Sequence, residues 1–218
     1  MSEKEIKLSM LTDLYELTMA NGFYEAGMAD QIACFDMFFR RVPDNGGFAL
    51  MAGLKQMIDY LQQLHFDKED IAFLKSKGYF SEGFLNYLKN FQFACDVWAV
   101  PEGTPIFPKE PIVTVRGPIV QAAIIETMVL LCINHQSLIA TKANRIARAA
   151  QERVVMEFGA RRAQGVDAAV NGARAAYIGG CAGSSCVAAD VAFGVPALGT
   201  KAHSWGQVFD SGHEGVCT

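Results

Sequence analysis

Between residues 154 and 200 the sequence alternates strand-like and helix-like stretches, and no other feature restricts the possible folds as much. VVMEF (154–158) reads as a buried strand, residues 167–177 as a helix, and Gly179, Gly180 and Gly183 as a turn. A further helix is predicted from about Ser184, and PALGT (196–200) reads as a short strand. Strands that alternate with helices pair in parallel, and such sheets hold ligands beyond the carboxyl ends of their strands. Glu157, Phe158, Arg161, Ser184, Ser185, Thr200 and His203 fall at those ends. Two or three strands cannot close a barrel of eight. The predicted fold class is therefore α/β, with residues 118–218 as the first units of an incomplete (β/α) barrel.

Residues 1–117 read as an α+β domain in front of it. A helix capped by Thr12 carries Leu14, Leu17, Met19 and Phe23 at helical spacing and ends near Gly27. Residues 32–40 are rich in aromatics and predict a strand, followed by the turn PDNGG. Residues 50–64, 68–75 and 81–89 predict three amphipathic helices. Pro101, Pro105, Pro108 and Pro111 then break up residues 95–117, because proline lacks the backbone donor a ladder needs; short strands and tight turns result. From Pro118 to about residue 150 the pattern is one long helix with Lys142, Arg145 and Arg148 on it.

The chain has 218 residues and is 51% hydrophobic, enough for one large domain or two small ones with a real core. A net charge of −4 gives no basic footprint for nucleic acid or an anionic membrane. The most apolar stretch, residues 118–133, contains Gln121 and Glu126 and is shorter than the ~20 residues of a spanning helix. The N-terminus mixes Glu and Lys without an apolar run, unlike a signal peptide. Six scattered cysteines without a C-x-x-C pair suggest reduced thiols, and the expected location is cytoplasmic. A zinc set of Cys181, Cys186, His203 and His213 matches no standard spacing, so no metal ligand is assigned.

Three constellations carry chemistry. In GTKAHSW, His203 follows a strand end and suits a general acid or base, a ligand, a phosphoryl acceptor or a locally packed histidine; Gly199 and Thr200 add a close-approach turn and a hydroxyl. In FGARRAQG an aromatic precedes Arg161 and Arg162. A ring face for stacking and a guanidinium for bidentate pairing fit an aromatic carboxylic acid, although a solvated arginine pair at a helix start fits too. In GGCAGSSCV a glycine-rich turn meets Ser184 and Ser185, where amides and hydroxyls hold an oxyanion or simply cap a helix. There is no Walker or G-x-G-x-x-G sequence and no nucleophile elbow. His65 and His135 lie in helical patterns and read as packing or surface residues.

Taken together, TDLYELTMANG, FFRRVPDNGGFALMAGL, PEGTPIFPKEPIVTVRGP, SLIATKANRIARAA, EFGARRAQG and GTKAHSW resemble the nicotinate phosphoribosyltransferase family, in order from about Leu11 to Trp205. The resemblance implies a dimeric, two-domain type II phosphoribosyltransferase that joins nicotinate to phosphoribosyl pyrophosphate in NAD salvage. ATP and magnesium would be needed, with transient phosphorylation of His203. It further implies that Tyr15, from a partner subunit, and Phe158 sandwich the pyridine ring. Arg161, Arg162 and Thr200 would contact nicotinate or phosphate groups, Ser184 and Ser185 would line the pocket, and Glu157 would orient His203. Lys201 stands where the family has an apolar residue and faces two expectations: lowering the His203 pKa, or pointing away. Gly206, Gly212 and Gly215 predict a poor helix after HSW. The family is about twice this length, so the chain reads as an N-terminal half, inactive alone, and Asp210 is not assigned to magnesium. Rival readings are a sibling using nicotinamide or another pyridine base, and a non-catalytic dimerisation module.

Overall fold

Residues 7–208 are described in the computed structural model. Three short strands form an antiparallel sheet: β1 (Ile32–Met37) and the pair β3 (Asp96–Ala99) and β5 (Val113–Pro118), in the order β1-β5-β3. Val115 is the common partner of Phe35 and Val97. β1 stops three residues before the predicted end. Continuing its register would set Phe39 against Pro111, which has no amide hydrogen to offer. A second, two-stranded sheet joins β2 (Ala49–Leu50) to β4 (Pro105–Ile106). The proline-rich stretch thus makes the short strands its composition predicts.

The first helix, α1 (Leu14–Glu25), has Asp13 at its N-cap rather than Thr12. Thr12 instead donates its hydroxyl to Glu16. α2 (Leu54–Gln63) starts four residues later than predicted, since residues 49–50 are spent on β2 and Gly53 turns the chain at φ 102°. A Cβ there would lie 2.3 Å from the Cys132 carbonyl oxygen, so glycine is required for both conformation and space. α3 (Lys68–Lys77) opens with a reciprocal capping box between Asp67 and Asp70, and α4 (Glu82–Lys89) with a Ser81 cap. The buried side chains of α1 to α4, among them Leu17, Met57, Leu74, Phe84 and Leu88, share one core with Val113, Ile124, Met128 and Ile133.

The long helical stretch is divided at Ile125 into α5 (Ile119–Ile124) and α6 (Glu126–Ala149). No side chain of its own caps α6. Glu16 does so from α1, accepting from the Thr127 amide at 3.0 Å and the Thr127 hydroxyl at 2.7 Å.

Further along α6, polar residues spaced four apart serve the free edge of β2. Thr141 Oγ accepts from the Leu50 amide at 2.9 Å, and Ser137 Oγ both accepts from the Ala52 amide and donates to its carbonyl. Arg145 donates to the carbonyls of Pro43 and Phe48 and to Asp44, pinning the preceding turn. Helix side chains here take the place of a neighbouring strand, satisfying backbone groups that would otherwise be buried unpaired.

Beyond α6, α7 (Val166–Ile178) packs along it. Three extended segments then lie side by side in parallel. Ala182 N–H donates to Val155 O (2.8 Å), Glu157 N–H to Gly183 O (2.9 Å) and Ser185 N–H to Glu157 O (3.0 Å). Ser184 N–H donates to Pro196 O (3.0 Å), and Leu198 N–H to Ser184 O (2.9 Å). Residues 182–185 therefore sit between 155–157 and 196–198. The first segment was predicted as buried, but Val154, Met156 and Phe158 are exposed while Val155 and Glu157 are half-buried. Period-two geometry leaves one face of the segment open. The helix predicted from Ser184 begins later, as α8 (Val187–Phe193). Ser184 and Ser185 belong to the extended segment, whose ladder bonds take their amides first. A last short helix, α9 (His203–Gln207), takes in Gly206 and ends one residue later; the rest of the tail expected to be a poor helix lies outside the described residues. Asp210, Gly212, His213, Gly215 and Cys217 lie outside the described residues.

Candidate functional site

Because the three segments are parallel and adjacent, their carboxyl ends share one side. That side carries Glu157, Phe158 and Arg161 from the first segment, Ser184 and Ser185 from the second, and Thr200 and His203 beyond the third. Phe158, Arg161, Arg162, Ser185, Thr200 and His203 are exposed, and Ser184 is 1% exposed. Arg161 and Arg162 close the one-turn helix 160–162, and among the described residues neither guanidinium has an ion-pair partner. These two guanidiniums follow the exposed Phe158 ring by three and four positions; a guanidinium can pair bidentately with a carboxylate and an aromatic face can stack on a flat ring.

Glu157 is the polar centre of this end. Its carboxylate accepts from the Gly159 amide and from the Ser184 hydroxyl, and Ser184 Oγ in turn accepts from the Cys186 amide at 3.0 Å. Ser184 is thus a bridge between segments, not a helix cap awaiting an anion. Neither oxygen of Glu157 is hydrogen-bonded to His203, which opens α9 behind Ala202 as its N-cap. Lys201 places its ammonium over the Trp205 ring, 5.0 Å from the centroid.

A cavity of about 670 Å³ adjoins the site. Glu157, Arg162, Gln164 and Asp167 line it opposite Leu138 and His135 of α6. His135, read from the sequence as a bland helical residue, has a buried Nε2 with no hydrogen-bond partner among the described residues. The periodicity of α6 gives no hint of this, because the neighbour that buries the ring is on α7, where Gly172 leaves it room.

Tyr15 stands apart from these residues, exposed in the first turn of α1. Desolvation, then the adjacent Glu126 carboxylate, pushes its hydroxyl up to about 12, so the ring stays neutral. Among the described residues Tyr15 and Phe158 make no ring contact within one chain.

A half-buried, bidentate ion pair joins α7 to the turn before β4 and has no signal in the sequence. Arg174 of α7 donates from both terminal nitrogens to Glu102, at 2.8 and 2.6 Å, and Glu102 also accepts from the amides of Gly53 and Leu54. Burial pushes this carboxyl up. The Arg174 charge and hydrogen bonds and the two amides outweigh burial and hold it below its ordinary value. In the sequence, PEGTP shows only a turn; the partner lies 72 positions away.

No three His, Cys, Asp or Glu side chains among the described residues converge to hold a metal ion. Burial raises the Cys95 thiol to about 11 and Cys132 to about 12, and it pushes Cys181 up as well; these remain apolar thiols. No described helix is long and apolar enough to cross a membrane.

Comparisons with known proteins place the chain in a family. Residues 10–134 match the family described as the nicotinate phosphoribosyltransferase (NAPRTase) N-terminal domain. A nicotinate phosphoribosyltransferase of Mycobacterium tuberculosis is 45% identical over 203 residues, which cover 93% of this chain and 44% of that protein. One from Bacillus subtilis is 41% identical, over 94% of this chain and 42% of its own length. The crystal structure of human nicotinic acid phosphoribosyltransferase superposes with a TM-score of 0.85 at 39% identity, covering 92% of this chain and 41% of that one. The chain therefore spans less than half the length of these relatives. With the family's N-terminal domain matched over more than half its residues, and the same mixed α/β architecture, this chain belongs to the nicotinate phosphoribosyltransferase family.

Proposed function

We propose that the chain is the part of a nicotinate phosphoribosyltransferase that recognises the pyridine base and carries the phosphorylated histidine. One observation carries the reading: three adjacent parallel segments bring Phe158, Arg161, Ser185 and Thr200 to one end, with His203 just beyond. The segments around α7 and α8 would be the opening units of a (β/α) barrel, following an α+β domain.

In the proposed reaction the Phe158 face stacks on the pyridine ring while Arg161 pairs with the nicotinate carboxylate. That fixes the ring nitrogen toward the anomeric carbon of phosphoribosyl pyrophosphate. The ring nitrogen forms the new bond as pyrophosphate leaves with the electron pair of the broken C–O bond. Arg162 and Thr200 supply a charge and a hydroxyl for the phosphate groups. Before this, His203 takes the terminal phosphoryl group of ATP on a ring nitrogen, giving up a proton and releasing ADP. Magnesium is expected from the family resemblance; no residue of this chain is assigned to it, and none of these steps is routed through it. A homodimer is part of the proposal. Tyr15 and Phe158 lie on open surfaces and do not meet within a chain, as a tyrosine supplied by a partner subunit would require. The reading also carries a cytoplasmic setting.

Labelled ATP and nicotinate provide the test. The chain is expected to take up an acid-labile phosphate from ATP, lost in His203→Ala. It is also expected to bind nicotinate, with Arg161→Gln weakening binding about 10–100-fold through the lost charged hydrogen bonds. A label that survives His203→Ala, or nicotinate binding indifferent to Arg161, contradicts the assignment.

A further inference from the structure

We propose that Glu157 is a positioning residue that locks two turns of the base site to each other: the turn bearing Phe158 and Arg161, and the turn bearing Ser185. The inference rests on the nicotinate-site reading above for its functional consequence, and on hydrogen-bond geometry for the lock itself. Glu157 accepts at both carboxylate oxygens, one from the amide of Gly159 and one from the hydroxyl of Ser184. Ser184 Oγ has donated its hydrogen and accepts from Cys186, so the relay runs Gly159, Glu157, Ser184, Cys186 without a gap. The Gly159 amide can only donate, and Ser184 Oγ, which accepts from Cys186, gives its hydrogen to Glu157. A carboxylate, with two acceptor oxygens and no hydrogen, takes both bonds at once.

Two further observations point the same way. Ser184 is 1% exposed and tied by its backbone to Pro196 and Leu198, so whatever holds its hydroxyl also references the strand that leads to Thr200. At Gly159, a Cβ would stand 2.6 Å from Glu157 Oε1. The carboxylate therefore lies against the backbone in space that only glycine leaves open. The conflict is with the end of a flexible side chain, so Gly159→Ala displaces Glu157 while the fold survives.

The test is amide hydrogen exchange on the 218-residue chain, read by NMR, together with nicotinate titration of the same samples. Glu157→Ala is expected to speed exchange at Gly159 and Cys186 together, at least tenfold, with amides of α2 and α4 unchanged. Ser184→Ala and Gly159→Ala are expected to reproduce the Cys186 effect. Glu157→Gln, which keeps one acceptor, restores part of it. In the double variant of Glu157→Ala with Ser184→Ala, Cys186 exchanges no faster than in either single variant. Nicotinate affinity is expected to fall about tenfold in Glu157→Ala and to recover partly in Glu157→Gln. If Glu157→Ala alters Gly159 alone, or the two single effects multiply, the lock is overturned. Should the unaltered chain bind no nicotinate, the base-site reading fails by itself, and the exchange at Cys186 still decides for or against the lock.

Discussion

Glu16 is a buried carboxylate and Glu102 a half-buried one, and their surroundings drive them in opposite directions. Glu102 faces a guanidinium and two amides and is held below its ordinary value of 4.5. Its stabilising contribution is complete above that value and is lost as pH falls through the depressed one. Arg174→Met leaves this carboxylate without its counter-ion and is expected to cost about 3–5 kcal/mol, measured by urea unfolding at pH 7. The unaltered chain should also lose stability below about pH 4.5 more steeply than Glu102→Gln does. Among the described residues no cation pairs with Glu16, and burial pushes it up against the opposing help of Thr12 and Thr127. The folded state then disfavours ionisation, so stability falls as pH rises above 4.5. Glu16→Gln, which can still accept from Thr127 and donate to Thr12, is expected to raise the unfolding midpoint at pH 7. That gain should vanish below pH 4.5. A lower midpoint for Glu16→Gln at pH 7 would show that the charge is wanted there.

At the scale of elements, helix existence was largely legible and strand edges were not. Helical spacing, the Ser81 cap and the Asp67 box signal α1, α3, α4 and α7 locally, because capping and amphipathic faces are written within one turn. The start of α2 escaped, since Gly53 earns its place through contact with Cys132, 79 positions on. The β2 edge escaped for the same reason. Its pairing partners are Ser137 and Thr141, which within α6 look like ordinary polar positions. Thr141→Val keeps the shape but leaves the Leu50 amide buried and unpaired, and should cost about 1–3 kcal/mol. Gly53→Ala should cost about 3 kcal/mol by forcing a Cβ into the Cys132 carbonyl. Thermal or urea unfolding measures both. If Thr141→Val is silent, the hydroxyl is not what satisfies β2.

For the whole molecule, the alternation of residues 154–200 gave away the parallel segments and which residues gather at their ends. Strand–helix alternation fixes that end whatever the side chains do. The roles of individual side chains were less readable. Ser184 reads from the sequence as lining the pocket, and the structure adds its bond to Glu157; Glu157 reads as an orienter of His203, and its two oxygens are bonded to Gly159 and Ser184. Such assignments depend on which of several neighbouring polar groups a carboxylate meets, and spacing along the chain does not encode that.

The most direct test of the central claim is an NMR titration of the chain with nicotinate and, separately, nicotinamide. Saturable shifts are expected at the amides of Phe158, Gly159, Arg161 and Ser185. Nicotinamide, which lacks the carboxylate for Arg161, is expected to bind at least tenfold more weakly. Shifts confined to other parts of the chain, or equal affinity for the two bases, would contradict the claim.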